Sequence, residues 1–355
     1  MSLPSMKERI LTYAEAIREA QEQEMARDSS VFMFGMGVDD HIAMWGTTAG
    51  LQKRFGASRI FDTPLSEDAM TGVAIGAALA GLRPIHAHIR MDFLLLAMNQ
   101  IVNIAAKARY MYGGSVNIPA VFRSVIGRSW GQGAQHSQAL YSFFMHVPGL
   151  KVVIPSTPYD AKGTLIQSIR DNNPVVFIEH RMLHTMKGHV PAKPYTVPFG
   201  RARVLKQGSD VTIVGISYMV PESLRAAHLL EDAGIRVEVI DPVTLAPLDM
   251  DTILRSVKKT KHLLIADNAW PTCGAGAEII ARIVEYFQKE KLALPKLERL
   301  GFAATTCPPS RPLEDRFYPN PRTIAEAAHR LLHGRRPWTA KGEISKEIAE
   351  FRGPF

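Results

Sequence analysis

Cysteine is scarce in this chain: Cys273 and Cys307 are its two, and neither has a second Cys or a His at metal-ligand spacing. That argues against a disulfide framework and a zinc site, and sets a reducing, cytoplasmic setting as the expectation. Long apolar runs are missing as well. Val175 to Ile178 and Leu263 to Ala266 fall far short of the roughly 20 residues that a bilayer-spanning helix needs. The N-terminus lacks a basic-then-apolar export pattern, so the chain reads as soluble, unexported and without a membrane partner. Blocks of one charge are also absent. The net charge is +8, yet Lys and Arg are spread along the chain, which argues against nucleic acid as a partner. The densest basic stretch, His333-Gly334-Arg335-Arg336 before Pro337 and Trp338, reads either as a solvated tail or as a docking site for an acidic partner. Walker and G-x-S-x-G patterns do not occur, so phosphate-loop chemistry and a serine nucleophile have no support. Gly35-Met36-Gly37 lacks the third glycine of a dinucleotide fingerprint, and Gly274-Ala275-Gly276 reads equally as a tight helix start.

What is present is ordinary globular composition, 46% hydrophobic and 21% charged over 355 residues, enough for two packed domains. Apolar, β-rich runs at Val31 to Phe34, Pro84 to Ile89, Ala120 to Val125, Val152 to Ile154 and Val175 to Glu179 alternate with segments of helical period. The same alternation resumes at Val211 to Ser217, Val237 to Asp241 and His262 to Asp267. The pattern predicts an α/β fold of parallel strands and crossover helices. Between the two series, Pro191, Pro194 and Pro198 with Gly188 and Gly200 prevent a helix or a central strand. This predicts a first domain over 1–190, a linker over 191–204, a smaller α/β domain over 205–334 and a basic extension over 335–355. Within the extension, Ile344 to Phe351 is a short amphipathic stretch, expected to wrap on a neighbour or stay mobile.

Two stretches are chemically unusual. Asp62-Thr-Pro-Leu-Ser-Glu67 delivers a carboxylate to the front of an apolar helix, where it would be poorly solvated without a partner. Glu67 reads equally as a helix-start residue favoured by the dipole. Small residues at Gly72, Gly76 and Ala80 predict that this helix presses closely against its neighbours. The second stretch, Gly127 to Gln138, is glycine-rich and ends in His136-Ser137-Gln138. Such a loop allows close backbone approach to a ligand. His136 would be a proton donor or acceptor near neutral pH, or a residue that pins the loop.

At these stretches the chain resembles the β subunits of the pyruvate, branched-chain 2-oxo acid and acetoin dehydrogenases. The resemblance rests on ordered blocks: DTPLSE (62–67), GVAIGAALAGLRPI (72–85), GAQHSQ (133–138), HVPGLKVVIPSTPYDAKG (146–163) and RDNNPVVFIEH (170–180). It covers roughly residues 10–330. It implies a domain that binds the aminopyrimidine of thiamine diphosphate, followed by a domain like the C-terminal domain of transketolase. It aligns Glu67 with the carboxylate that hydrogen-bonds pyrimidine N1′ and favours the imino tautomer, in a dry setting where water cannot compete. Phe93 aligns with the aromatic that holds the ring, although it reads from the sequence also as a plain core aromatic at the start of a helix over Phe93 to Tyr110. His136 aligns with the histidine at the active-site mouth. The resemblance further implies a potassium ion on the main-chain carbonyls of Ala120, Ser168, Asp171 and Asn173. The Gly-Asp-Gly motif that binds pyrophosphate and Mg²⁺ in such systems is not in this chain and lies on an α-type subunit in relatives. An α₂β₂ heterotetramer is therefore implied, with a lipoylated acyltransferase as a further partner and a 2-oxo acid as substrate.

The chain departs from that pattern in places. Relatives carry an acidic pair where Met36-Gly37 stand. Arg128, Trp130 and His184 are unusual too, and suggest a non-standard substrate or acceptor. Two rival functions fit the residues: a thiamine-dependent acyloin- or ketol-transferring enzyme, and a catalytically silent scaffold.

Overall fold

A computed structural model describes residues 9–40, 42–128, 131–334, 336 and 338–340. Fourteen strands form three sheets among the described residues. In chain order they are β1 (Ile10–Thr12), β2 (Val31–Gly35), β3 (Ile60–Phe61), β4 (Arg83–His88), β5 (Val121–Ile126), β6 (Lys151–Val153) and β7 (Val175–His180). Then follow β8 (Lys187–His189), β9 (Arg203–Lys206), β10 (Val211–Gly215), β11 (Val237–Asp241), β12 (Thr244–Ala246), β13 (His262–Ala266) and β14 (Lys296–Leu300). The larger sheet has seven strands in the order β12-β6-β7-β5-β4-β2-β3, parallel except for β12 at the edge. The second has five, β14-β13-β10-β11-β9, parallel except for β9. The expected α/β class is what the chain adopts.

Each expected strand lies within two residues of an observed one. β1, β3, β8, β9, β12 and β14 are additions, all but the last being two to four residues long and so too short to show a period. β12 has a consequence for layout: a segment following β11 leaves the second sheet and pairs with β6 of the first.

Parallel strands bury both faces, which is why their sequences are largely apolar instead of alternating regularly with polar residues. Met33, Ile85, Val121 and Phe177 point to one side, against Ile17 and Ala20 of the helix Tyr13–Arg27 and Leu165 of the helix Pro158–Arg170. Phe34, Phe122, Val176 and Ile178 point to the other, with Ala74 and Ile75 of the helix Glu67–Leu79 and Ile101 beyond it. A side chain such as Phe177, fully buried, contributes about 1.5–3 kcal/mol by leaving water. The first of these helices is fixed at its start by a reciprocal cap between Thr12 and Glu15. The helix expected over Phe93 to Tyr110 is a succession of α, 3₁₀ and π turns from Met91 to Met111.

One packing expectation is not met at Gly76 within this chain. Helix Glu67–Leu79 buries Thr71, Ala74, Ile75 and Ala78, whereas Gly76 has open space where a Cβ would stand. The small-residue stripe lies on the helix's outer face: apart from the helix's own backbone, no described residue comes within 4 Å of a Cβ placed at Gly76, and at Gly72 the Gln100 side chain stands at 3.8 Å. Trp338, at the start of the extension, stacks on His329 of the chain's own helix Pro321–His333 with ring centroids 4.7 Å apart. Residues 335, 337 and 341–355, which include Ile344 to Phe351, lie outside the described residues.

Candidate active site

The chain turns one way from β2 to β3 and the other way from β4 to β5. Beyond the carboxyl ends of the strands, such a reversal leaves a crevice, the usual ligand position of a doubly wound sheet. β2 ends at Gly35 with φ +144°, and a Cβ there would stand 2.2 Å from the Ala87 carbonyl oxygen, so glycine lets the two strand ends close up. Between these ends and the start of helix Glu67–Leu79 is a hollow of about 130 Å³ walled by Met36, Thr63 to Glu67, Met70, His86 to Arg90 and Phe93. A second hollow of about 300 Å³ shares Met36, Ile89, Arg90 and Phe93 and extends to Trp45, Gln132 and His136.

Local chemistry explains how each side chain reaches its place. Asp62 Oδ1 accepts the N–H groups of Gly37 (3.0 Å) and Thr63 (2.8 Å), tying the loop before the helix to the loop after β2. The loop then delivers Glu67, half-buried, as the first residue of the helix and part of the hollow's wall. Both readings of Glu67 are therefore compatible: it starts a helix and faces a hollow. Phe93 is 38% exposed, far too open for the plain core aromatic that its position also allowed. It meets His136 edge to face, with ring centroids 5.2 Å apart.

That meeting is braced by backbone and side-chain bonds. Asp92 Oδ1 accepts from the backbone N–H (3.2 Å) and side-chain amide (3.0 Å) of Gln138. Arg90 Nη1 donates to the Gly127 carbonyl at 2.8 Å. Both ends of the glycine-rich loop are thus fastened to the segment that carries Phe93. At Gly127, with φ +99°, an added Cβ would lie 2.4 Å from the His180 ring. Arg128 points elsewhere than expected. It is buried, pairs with Asp315 at 2.6 Å and lies over the Tyr318 ring at 4.8 Å. It clamps the loop to the second sheet's layer instead of facing the hollow. His184 is buried against Glu179 at 3.3 Å and against Tyr13 and Trp45. Trp130 lies outside the described residues.

The wall holds polar groups that sequence reasoning missed. His86 and His88 share one face of β4, and their rings are 4.2 Å apart. His86 stacks on Phe34 and reaches Thr71 Oγ1 through Nδ1 at 3.3 Å. Burial lowers both imidazoles, that of His88 to about 3, so both are neutral at pH 7. His88 Nε2 and Asp92 Oδ2 are buried with no hydrogen-bond partner among the described residues. The signal available was His-Ala-His in an apolar strand, since residues two apart share a face. Burial likewise lowers Arg90 to about 10, against the opposing charge of Asp92.

Of the four expected carbonyl positions, Ser168, Asp171 and Asn173 lie at the end of the helix Pro158–Arg170 and just after it, and Ala120 precedes β5. Ala120 accepts from Val175 N–H (3.0 Å), Ser168 from Asp171 N–H (3.3 Å), and Asp171 from Arg83 Nη1 (3.0 Å). Asn173 donates its N–H to Asp171 Oδ1 at 2.8 Å. They stand apart from the hollow's wall. Cys273 and Cys307 are unpaired thiols. No helix among the described residues is long and apolar enough to cross a membrane.

Two sheets of this order, with a hollow at the reversal, define a transketolase-type α/β protein. Residues 10–186 match the family "Transketolase, pyrimidine binding domain" and residues 200–324 match "Transketolase, C-terminal domain". A solved split-gene transketolase, described as an inactive β₄ tetramer, shares the fold with a TM-score of 0.72 at 20% identity, over 92% of this chain and 99% of that one. Sequence likeness is narrower and stronger. The chain is 44% identical to the acetoin:2,6-dichlorophenolindophenol oxidoreductase subunit beta of Cupriavidus necator, over 90% of this chain and 96% of that protein. It is 39% identical to the Bacillus subtilis protein of the same name, over 91% and 98%. To the human mitochondrial pyruvate dehydrogenase E1 component subunit beta it is 40% identical, over 91% of each. The chain belongs to the family of acetoin and pyruvate dehydrogenase β subunits.

Proposed function

We propose that this chain is the β subunit of a 2-oxo-acid dehydrogenase, and that it prepares thiamine diphosphate for catalysis jointly with an α-type subunit. The observation that carries the reading is the shared wall: Glu67 and Phe93 border one hollow, and Phe93 is ring to ring with His136 at its edge. The residues fit the aminopyrimidine. A flat heteroaromatic ring with polar edges suits an apolar lining with one carboxylate and an unpartnered imidazole nitrogen. In this reading Glu67 holds a proton at pyrimidine N1′, Phe93 holds the ring by dispersion and by excluding water, and His136 binds the substrate carboxylate at the mouth. Thiamine diphosphate, when bound, supplies the carbon nucleophile and the electron sink for decarboxylation. Mg²⁺ belongs with the pyrophosphate on the α-type subunit. A potassium ion at Ala120, Ser168, Asp171 and Asn173 is part of the same reading, because a carbonyl that accepts one N–H keeps a second lone pair.

The outer surface beside the hollow supports a partner. Leu65, Val73, Leu79, Leu96, Tyr110 and Met111 are between 51% and 90% exposed, on the helix Glu67–Leu79, the loop before it and the neighbouring segment over 91–111. The open stripe around Gly76 lets another backbone approach closely. Such a surface is costly to leave in water and suits an α-type subunit in an α₂β₂ assembly. A lipoylated acyltransferase as acceptor, a cytoplasmic setting and the division into domains 1–190 and 205–334 complete the reading.

The test is co-expression with an α-type subunit. With thiamine diphosphate and Mg²⁺, the assembly is expected to reduce 2,6-dichlorophenolindophenol when offered a 2-oxo acid. Glu67→Ala is expected to lower turnover by about 10²–10⁴-fold, the usual scale for losing a positioned acid–base group. Normal turnover in Glu67→Ala would overturn the mechanism.

A further inference from the structure

We propose that His88 is a second polar anchor for the aminopyrimidine ring, distinct from Glu67 and acting from the floor of the hollow. The inference rests on the thiamine reading and extends it to a residue which that reading leaves idle. β4 places His86 and His88 on the face turned toward the helix Glu67–Leu79. The two rings differ in their bonding. His86 is committed, stacked on Phe34 and bonded to Thr71. His88 lines the hollow and is 5% exposed, and its Nε2 has no hydrogen-bond partner among the described residues.

A buried ring nitrogen without a partner is unfavourable, because it has given up its bond to water for nothing in return. It is tolerable where a ligand completes the bond. The chemistry of the ligand follows from the donor. A neutral imidazole nitrogen offers one hydrogen bond, given or accepted according to tautomer, and no charge. It therefore suits an uncharged ring nitrogen or an exocyclic amine, and does not suit a phosphate, for which a cation would be chosen. The hollow, at about 130 Å³, is of heterocycle size. Glu67 and His88 then hold the ring by different edges while Phe93 covers its face, which fixes rotation as well as position.

The experiment is thiamine diphosphate binding, in the presence of Mg²⁺, to the assembly with the α-type subunit, followed by tryptophan fluorescence quenching. The variants are His88→Leu, which fills the space without the nitrogen, and His88→Gln, which restores a polar atom at similar reach. His88→Leu is expected to weaken binding by about tenfold, the scale of one hydrogen bond to a buried group. His88→Gln should recover most of it. Melting curves and size-exclusion profiles identical to wild type show that both variants assemble. Unchanged affinity in His88→Leu, or a loss that His88→Gln does not recover, would overturn the proposal while the thiamine reading stands. Failure of the wild-type assembly to bind thiamine diphosphate would overturn both.

Discussion

The two sides of the larger sheet handle buried polar groups in opposite ways. Under the helix Tyr13–Arg27, Arg123 is fully buried and every arm is used: Glu179 (3.0 Å), Gln21 (2.7 Å) and Thr47 (2.8 Å) receive its donors. His184 bonds the same carboxylate. Burial pushes the Glu179 carboxyl up, but the charge of Arg123 and the hydrogen bonds from His184 and Arg123 outweigh it and hold it down to about 2. On the other side, at the strand ends, His88 Nε2 and Asp92 Oδ2 have no partner among the described residues, Phe93 is open and Glu67 is half-buried. In the first network Arg123 and Glu179 are closed by hydrogen bonds, and among its members only His184 Nδ1 is without a partner among the described residues. The other is incomplete in the way a binding site is before its ligand arrives.

The comparison can be broken most severely at Arg123. Arg123→Met leaves the Glu179 charge buried and unpaired, and is expected to cost about 3–5 kcal/mol of stability, read from urea unfolding. A loss below 1 kcal/mol would show that the network is not the closed structural unit described. At the hollow the converse holds. Phe93→Ala is expected to leave the melting temperature near wild type, since the ring is 38% exposed, and to weaken thiamine diphosphate binding by about tenfold through loss of the ring face. A large fall in melting temperature with unchanged binding would reverse the assignment of Phe93.

A smaller effect sharpens the contrast through pH. Asp267, just past the end of β13, accepts from the Tyr141 hydroxyl, and burial raises its carboxyl to about 7. In the unfolded chain this group ionises near pH 4. Between these values the folded state binds the extra proton, so stability is greatest at the acid end and declines as pH rises through 7. Glu179 runs the other way. Its contribution is present above about pH 4.5 and is lost as pH falls toward 2. The difference in melting temperature between wild type and Asp267→Asn, read at pH 5, 6, 7 and 8, should therefore fall as pH rises, the opposite contribution of the buried neutral His86 and His88 being common to both. Parallel profiles would remove Asp267 from the account.

Much of the fold was legible because buried parallel strands are written in short, mostly unbroken apolar runs, as in Val175 to Ile178. β3 and β12 were not, having two and three residues and taking their place from pairing rather than propensity. The π turns over Asn99–Ala105 left no signal either. In the site, Asp62 to Glu67 was conspicuous on its own, yet the grouping of Glu67 with Phe93 and His136 came from the resemblance, since the loop that joins them is set by Asp92, Arg90 and Gln138 acting across the chain. His88 was readable from strand alternation, but its lack of a partner is a three-dimensional fact. Arg128 looked functional in a glycine-rich loop and is instead held by Asp315, a residue far along the sequence.

The most direct measurement is hydrogen–deuterium exchange at thiazolium C2 of thiamine diphosphate bound to the α/β assembly, compared between wild type and Glu67→Gln by quenched-flow NMR. The account predicts that the glutamine variant still binds the cofactor but exchanges roughly a hundredfold or more slowly, since the proton at N1′ is no longer held by a carboxylate. Equal exchange rates with the cofactor bound in both would contradict it.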